Sequence, residues 1–139
     1  MTAERKPIKN SMRVILDSNA LFVPLQFKID IFEELKKLLG VSFDPVLLSP
    51  IKQELETLAS QGPPQMRKNA SCALKLAENC SLARVEYEAP PDDVIVKTAC
   101  EWRCPVFTND KQLRKRLRDI NVPVIYVRQK SRLEIDGRL

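Results

Sequence analysis

Residues 12–19, MRVILDSN, combine a short apolar run rich in β-branched side chains with an Asp-Ser-Asn stop. An apolar run of this length and composition predicts a strand that is buried on both faces. The polar stop predicts that a helix follows at once, over SNALFVPL at residues 18–25. This stretch therefore predicts an α/β fold and places Asp17 at the carboxyl end of its first strand.

The same alternation of apolar strands and amphipathic helices continues along the chain. Further strands are predicted at residues 45–49, 82–87, 105–108 and 122–127, and further helices at residues 31–39, 51–60, 65–80, 93–102 and 111–120. Asp30 and Ser49 are expected to cap the helices that follow them. Strands separated by helices are typical of a parallel sheet covered on both faces. We expect a three-layer α/β/α sandwich with a mainly parallel, five-stranded sheet.

The chain has 139 residues, which is enough for one domain. Residues 1–12 are polar and predict a flexible lead, residues 13–128 predict the folded domain, and residues 129–139 predict a basic tail. The N-terminus carries charge where a secretory signal is apolar, and no run approaches the ~18 apolar residues of a membrane span. These features predict a cytoplasmic protein without a membrane segment.

Composition excludes several classes of chemistry. Histidine is absent, so neither a Ser-His-Asp triad nor a histidine-ligated zinc site can form. The chain has only 3 glycines, too far apart for a glycine-rich phosphate-binding loop. The 4 cysteines lack the paired CxxC spacing of a thiolate zinc site, so we expect reduced, mostly buried thiols.

Charge is concentrated near the C-terminus. The formal net charge is +5, and residues 111–139 hold nine basic groups against three acidic ones, a net +6, which leaves −1 for the first 110 residues. A basic end on a neutral body suits a phosphate-rich polymer, although a run of charge is also typical of a solvated helix face. Lys111, Arg114 and Lys115 on the predicted helix 111–120 are the candidate phosphate-binding residues.

Acidic residues follow the ends of the predicted strands. Asp17 follows the first strand, Asp110 follows the fourth, and the pair Asp92–Asp93 opens the helix after the third. Glu54 lies on the inward edge of the helix after the second strand. Each aspartate is also well placed to cap a helix. Because the carboxyl ends of parallel strands share one edge of a sheet, we expect these acids to converge there.

Convergent carboxylates need a cation or raised pKa values. Two like charges ~4 Å apart repel by about 4 kcal/mol at an effective dielectric near 20, a large share of a total stability of ~5–15 kcal/mol. Oxygen ligands without histidine or thiolate suit Mg²⁺ or Mn²⁺, ions that most often serve phosphoryl transfer. The acids therefore predict a site for divalent metal and phosphate chemistry.

Four segments of the chain together resemble the PIN-domain ribonucleases. They are VILDSNAL at 14–21, PPDDVIVKTACEW at 90–102, VFTNDKQLRKRLR at 106–118 and VPVIYVRQKSRLEI at 122–135. The likeness covers almost the whole chain. It is closest to the archaeal relatives of the small-subunit processome PIN proteins, and VapC toxins are more distant.

The resemblance implies a role for each residue of the expected site. A divalent ion would be held by Asp17, Glu54, Asp93 and Asp110. Supporting roles fall to Ser18, Asn19, Asp92, Thr108 and Asn109. Asp93 is preferred over Asp92 as the third acid. The family has an alanine six residues and an aromatic residue nine residues after this acid, as Ala99 and Trp102 stand after Asp93. The resemblance also implies that the first strand lies beside the fourth.

The resemblance implies a metal-dependent endoribonuclease that cleaves single-stranded RNA to 5′-phosphate and 3′-hydroxyl ends, in ribosomal or other stable RNA processing. It further implies a possible homodimer and a ribosome-assembly partner. Two alternatives stay open. One is a VapC-type toxin with an antitoxin partner, and the other is a PIN-like module that binds RNA or protein with negligible hydrolysis.

Overall fold

In a computed structural model, which describes residues 11–86 and 88–139, a six-stranded sheet runs through the protein. The strands are β1 (Met12–Leu16), β2 (Phe43–Leu48), β3 (Ser81–Ala83), β4 (Val106–Phe107), β5 (Val124–Arg128) and β6 (Arg132–Asp136). Their order is β3-β2-β1-β4-β5-β6, with every pair parallel except β5 and β6. The mainly parallel α/β architecture and the expected pairing of the first and fourth strands are confirmed.

Helices flank this sheet and connect its parallel strands. They are α1 (Ser18–Phe27), α2 (Ile31–Leu39), α3 (Ser49–Gln61), α4 (Pro64–Ala77), α5 (Pro91–Trp102) and α6 (Lys111–Asp119). One group consists of α1, α3 and α4, which pack against one another, while α5 packs against α6. In the described part of the chain, no helix has the length and apolar character needed to cross a lipid bilayer.

The strand β1 lies at the centre of the sheet and is fully covered. Val14, Ile15 and Leu16 are each 0% exposed. They pair with β2 on one side and β4 on the other, and Leu16 stands in register with Phe107. A strand buried on both faces needs a continuous apolar run, which is why RVIL forms it. The polar residue directly after it, Asp17, therefore emerges at the edge of the core.

The sheet has six strands rather than the five expected. Residues 132–136, assigned above to a basic tail, form β6 and pair antiparallel with β5. A turn at Gln129 and Lys130, both with positive φ, reverses the chain between the two strands. The sheet thus includes Met12 in β1 and residues 132–136 in β6, while residues 1–10 of the expected lead lie outside the described residues.

Two local expectations also differ from the structure. Ser49 does not cap α3, since its Oγ accepts a hydrogen bond from the backbone N–H of Val85 at 2.9 Å. The third strand ends at Ala83 instead of continuing to residue 87. Asp30 caps α2 as expected, accepting from Glu33 N–H at 3.2 Å. The four cysteines are free, and two of them, Cys80 and Cys104, are buried.

Candidate functional site

The site begins where β1 and β4 end side by side. The backbone N–H of Asp17 donates to the carbonyl of Phe107 at 3.0 Å, which continues the parallel ladder by one residue. Thr108 follows Phe107 and donates in turn from its Oγ1 to Asp17 Oδ2 at 2.7 Å. The register of the two strands thus joins residues 17 and 108 directly.

Asp17 is held by three hydrogen bonds. Besides Thr108, the Nδ2 of Asn19 donates to Asp17 Oδ2 at 3.0 Å, and the backbone N–H of Ser18 donates to Oδ1 at 2.8 Å. A carboxylate has about four acceptor positions, so these bonds orient the group and leave capacity for a further ligand. Asn19, through its side chain, and Ser18, through its backbone N–H, thus orient the carboxylate of Asp17.

The environment of Asp17 opposes its ionisation. Only 5% of Asp17 is exposed, and this burial raises the pKa of its carboxyl from 3.8 to about 6. The hydrogen bonds from Thr108 and Ser18 lower this pKa, whereas the negative charges of Asp92 and Glu54 raise it. Asp92 and Glu54 are therefore each close enough to Asp17 to repel its negative charge.

The loop after β4 ties this edge together. Asn19 Oδ1 accepts from the backbone N–H of Asn109 at 3.0 Å, and Asn109 Oδ1 accepts from the backbone N–H of Val127 at 2.8 Å. The amide side chains of Asn19 and Asn109 thus hold the ends of β1, β4 and β5 in one arrangement. Asn109 supports the loop backbone and does not contact Asp17 in any hydrogen bond of the structure.

Asp110 combines a capping role with a place in the acidic cluster. Its backbone N–H donates to Thr108 Oγ1 at 3.1 Å. Its Oδ1 accepts from the backbone N–H groups of Gln112 and Leu113 at 2.9 and 3.1 Å, which caps α6. Asp110 can therefore cap α6 and also bind a metal ion, because the capping hydrogen bonds use Oδ1 and leave Oδ2 available.

The two acids at the start of α5 point in different directions. Asp92 is half-buried, and its pKa is raised by burial and by the negative charge of Asp110. The expected metal ligand Asp93 is exposed and pairs instead with Arg116, with Oδ1 2.8 Å from Nη2. Neither acid caps α5, whose N-cap is Pro90. The geometry thus favours Asp92 over Asp93 as the acid facing Asp17.

Glu54 reaches the cluster from the helix after β2. It is half-buried in α3 and lines a surface cleft together with Pro91, the first residue of α5. Its negative charge contributes to the raised pKa of Asp17. Glu54 is therefore a half-buried acid whose charge acts on Asp17, while Glu56 on the same helix is exposed.

The basic helix α6 starts next to Asp110, but its arginines are engaged. Arg114 pairs with Asp136 on β6 at 3.0 Å, and Arg118 pairs with the same carboxylate at 3.3 Å. Within the described ranges, neither Lys111 nor Lys115 forms an ion pair. Both lysines are exposed, so they are the residues of this helix whose charge is free to attract phosphate.

The donors at this edge are chemically suited to a hard divalent cation. They are carboxylates and neutral oxygens, the ligand types that Mg²⁺ and Mn²⁺ prefer. Burial is the main cause of the raised pKa values of Asp17 and Asp92, and neighbouring carboxylates add to it, so a bound cation would offset part of this cost. As the side chains stand, no three acidic or thiol groups of residues 11–86 and 88–139 form a ready-made metal site.

Comparison with known proteins identifies the family of this fold and site. The model of the PIN like domain family matches residues 14–130, which include Asp17, Glu54, Asp92, Asp93 and Asp110. The chain therefore belongs to the PIN like domain family.

Individual relatives agree with this assignment. Ribonuclease VapC4 of Methanocaldococcus jannaschii is 35% identical over 127 residues, which cover 90% of this chain and 97% of that protein. The rRNA-processing protein fcf1 of Schizosaccharomyces pombe is 32% identical over 119 residues, covering 82% of this chain and 58% of that protein. A solved structure of the PIN domain endonuclease Utp24 superimposes with a TM-score of 0.76 at 30% identity, covering 91% of this chain and 92% of that one.

Proposed function

We propose that this protein is a metal-dependent endoribonuclease that cleaves single-stranded RNA during the processing of ribosomal or other stable RNA in the cytoplasm. The observation that carries the proposal is the buried Asp17, which is oriented by Thr108 and Asn19 and repelled by Asp92 and Glu54. Support also comes from similarity to an rRNA-processing protein and to the PIN endonuclease Utp24.

We assign the metal site to Asp17, Glu54, Asp92 and Asp110. Asp92 takes the place first expected for Asp93, because Asp93 is engaged with Arg116 outside the cluster. Rotation of the half-buried acids toward Asp17 would complete the site, since Asp17 itself is held by its hydrogen bonds. A bound Mg²⁺ or Mn²⁺ would offset charge on the phosphate and activate the attacking water.

The remaining residues orient these acids and bind the substrate. Thr108 and Asn19 both donate to Oδ2 of Asp17, which holds this carboxylate in one rotamer. Lys111 and Lys115 attract RNA phosphates beside Asp110, and Arg114 contributes at the same helix face despite its pairing with Asp136. Binding would therefore weaken with salt, as expected for contacts to phosphate.

The direct test is cleavage of an end-labelled single-stranded RNA by the purified chain with Mn²⁺, with Mg²⁺ and with chelator. We expect cleavage only with metal, products with 5′-phosphate ends, and no cleavage by Asp17→Asn. RNA that is bound equally well with and without chelator, and never cut, would instead support the module that binds without hydrolysis.

A VapC-type toxin is the second candidate, favoured by 35% identity to ribonuclease VapC4. In that case the same chemistry would act on an essential cellular RNA, and an antitoxin would be the partner. Induced expression should then arrest growth with the wild-type chain but not with Asp17→Asn. Unimpaired growth, together with accumulation of unprocessed rRNA in a depleted strain, would support the processing role. A homodimer is a further proposal, to be tested by light scattering.

A further inference from the structure

A cleft of about 410 Å³ lies at the carboxyl ends of β4 and β5, at the same edge of the sheet as the acidic residues. It opens beside the acidic cluster, because Thr108 and Asn109 form part of its wall. Thr108 contacts Asp17 directly. A molecule in this cleft would therefore lie next to any phosphate bound at the acids, and the volume is within the ~300–1,000 Å³ usual for small-ligand sites.

The charge of the cleft is opposite to that of the cluster. Lys111, Arg114 and Arg128 line it, and no acidic side chain is among the described residues of its wall. Arg114 and Arg128 are paired with carboxylates of β6, whereas Lys111 is not. Among residues 11–86 and 88–139, Lys111 is therefore the cation of this cleft that no carboxylate pairs, and it lies where the cleft meets the acids, which suits a phosphate group.

The cleft also offers an aromatic surface and a polar amide. Phe27, at the end of α1, and Tyr126, on β5, both line it. Arg114 lies over the Tyr126 ring at 3.8 Å from its centroid, so one face of that ring is already covered. Among the described residues no cation stacks on Phe27, and the amide of Gln129 can both donate and accept hydrogen bonds. An aromatic ring near a cation is the combination that binds single-stranded nucleotides.

We propose that this cleft binds one nucleotide of the RNA beside the scissile phosphate, with its base against Phe27 and its phosphate near Lys111. The inference rests on the proposed ribonuclease function and adds a base-contacting subsite to it. Stacking is tolerant of sequence, while hydrogen bonding by Gln129 at the base edge would give a preference among the four bases.

The subsite can be tested without catalysis, by NMR titration of the ¹⁵N-labelled full chain in chelator. The probes are the four nucleoside 5′-monophosphates, with ribose 5-phosphate as a probe that lacks a base. We expect shifts of the Asn109, Val127 and Gln129 amides, with ribose 5-phosphate binding at least about tenfold more weakly, as loss of one stacked base implies. Equal binding of ribose 5-phosphate, or no shift at these amides, would overturn the proposal.

Matched variants separate the base from the phosphate. Phe27→Leu should weaken nucleotide binding about tenfold and leave ribose 5-phosphate binding unchanged, whereas Lys111→Gln should weaken both. Phe43→Leu, at a half-buried phenylalanine at the other end of the sheet, should change neither. Unchanged nucleotide affinity in a folded Phe27→Leu variant would contradict the assignment of the base site.

Cleavage of a randomised single-stranded RNA pool with Mn²⁺ gives an independent readout. The wild-type chain should prefer certain bases at one position next to the cut, and Gln129→Met, which removes the hydrogen-bonding amide, should weaken that preference while Phe43→Leu keeps it. Cleavage without any base preference there would overturn the Gln129 contact of the subsite and leave the proposed nuclease function standing. A wild-type chain that cuts no RNA would instead refute the proposed function, and the titration would still decide whether nucleotides bind in the cleft.

Discussion

Thr108 Oγ1 donates a 2.7 Å hydrogen bond to Asp17 Oδ2, joining side chains 91 residues apart at the ends of two adjacent strands. This bond exists because β1 and β4 are parallel neighbours with Leu16 in register with Phe107. Burial raises the pKa of Asp17, whereas this hydrogen bond stabilises the ionised carboxylate and lowers that pKa. The hydroxyl of Thr108 is therefore a positioning group for the acid most central to the site.

Removing that hydroxyl should shift the pH dependence of cleavage. Thr108→Val deletes the donor at almost constant shape, so the pKa of Asp17 should rise further above 6 and the acid limb of the pH–rate profile should move to higher pH. At neutral pH we expect a loss of about 10- to 100-fold. Thr108→Ser keeps the donor and should restore the wild-type profile. An unshifted acid limb in the valine variant would show that Thr108 does not act on Asp17.

Asp17→Asn should separate activity from stability. We expect cleavage to fall by on the order of 10³-fold or more, because the neutral amide cannot hold a divalent ion as a carboxylate does. The same change should stabilise the metal-free fold, since it removes a buried charge that lies near Asp92 and Glu54. Urea unfolding in chelator would measure the gain. A destabilised variant would mean that the charge of Asp17 is compensated in the folded protein.

The raised pKa of Asp17 also predicts how stability varies with pH. Its folded-state value of about 6 exceeds the unfolded value of 3.8, so the folded protein holds the proton more tightly. The carboxyl costs no stability below about pH 4, and its cost grows as the pH rises through 6. By pH 7 the metal-free wild type should lose up to about 3 kcal/mol of unfolding free energy relative to Asp17→Asn. Excess Mg²⁺ should reduce the difference. A pH-independent difference between the two proteins would contradict the buried-acid assignment.

The two acids of α5 should differ in their importance for cleavage. Asp92→Asn should abolish metal-dependent activity, because Asp92 is the acid whose charge acts on Asp17. Asp93→Asn should retain activity within about threefold, because it loses only an exposed ion pair with Arg116. Side-by-side cleavage rates at saturating Mn²⁺ measure this contrast. Loss of activity in Asp93→Asn, with activity retained in Asp92→Asn, would instead assign the metal site to Asp93.

The choice between these acids shows what the sequence could and could not decide. The family spacing favours Asp93, but successive helix residues point about 100° apart, so adjacent aspartates cannot face the same neighbour. The buried positions of α5, from Val94 to Ala99, define its inner face. On a helical wheel Asp93 lies nearly opposite that face and Asp92 about 90° from it. The pattern of buried residues in α5 therefore supports Asp92, whereas the family spacing supports Asp93.

The apolar strands could be predicted from the sequence, whereas β6, one of the two edge strands, could not. β1 is a continuous apolar run because both its faces are covered, so its position was evident from composition. β6, RLEID, alternates apolar and charged residues and lies at the edge of the sheet, where its arginine is exposed and its acids pair with arginines of α6 and β5. In sequence such a segment resembles a basic tail, since only its pairing with β5 shows it to be a strand.

The role of the basic helix depended on partners distant in sequence. Arg114 and Arg118 share Asp136, and Arg116 pairs with Asp93, all more than fifteen residues away. Charge counting treats every cation of α6 as available for RNA. The fold leaves Lys111 and Lys115 as the unpaired cations of that helix among the described residues, a distinction that periodicity cannot make.

The most direct test of the account is the cleavage rate of one labelled single-stranded RNA as a function of free Mn²⁺, for the wild type and Asp92→Asn. The account predicts no cleavage in chelator, a rate that saturates with Mn²⁺ for the wild type, and no detectable rate for the variant at any Mn²⁺ concentration. Cleavage that persists in chelator, or equal rates for the two proteins, would contradict a carboxylate-bound metal as the centre of this nuclease.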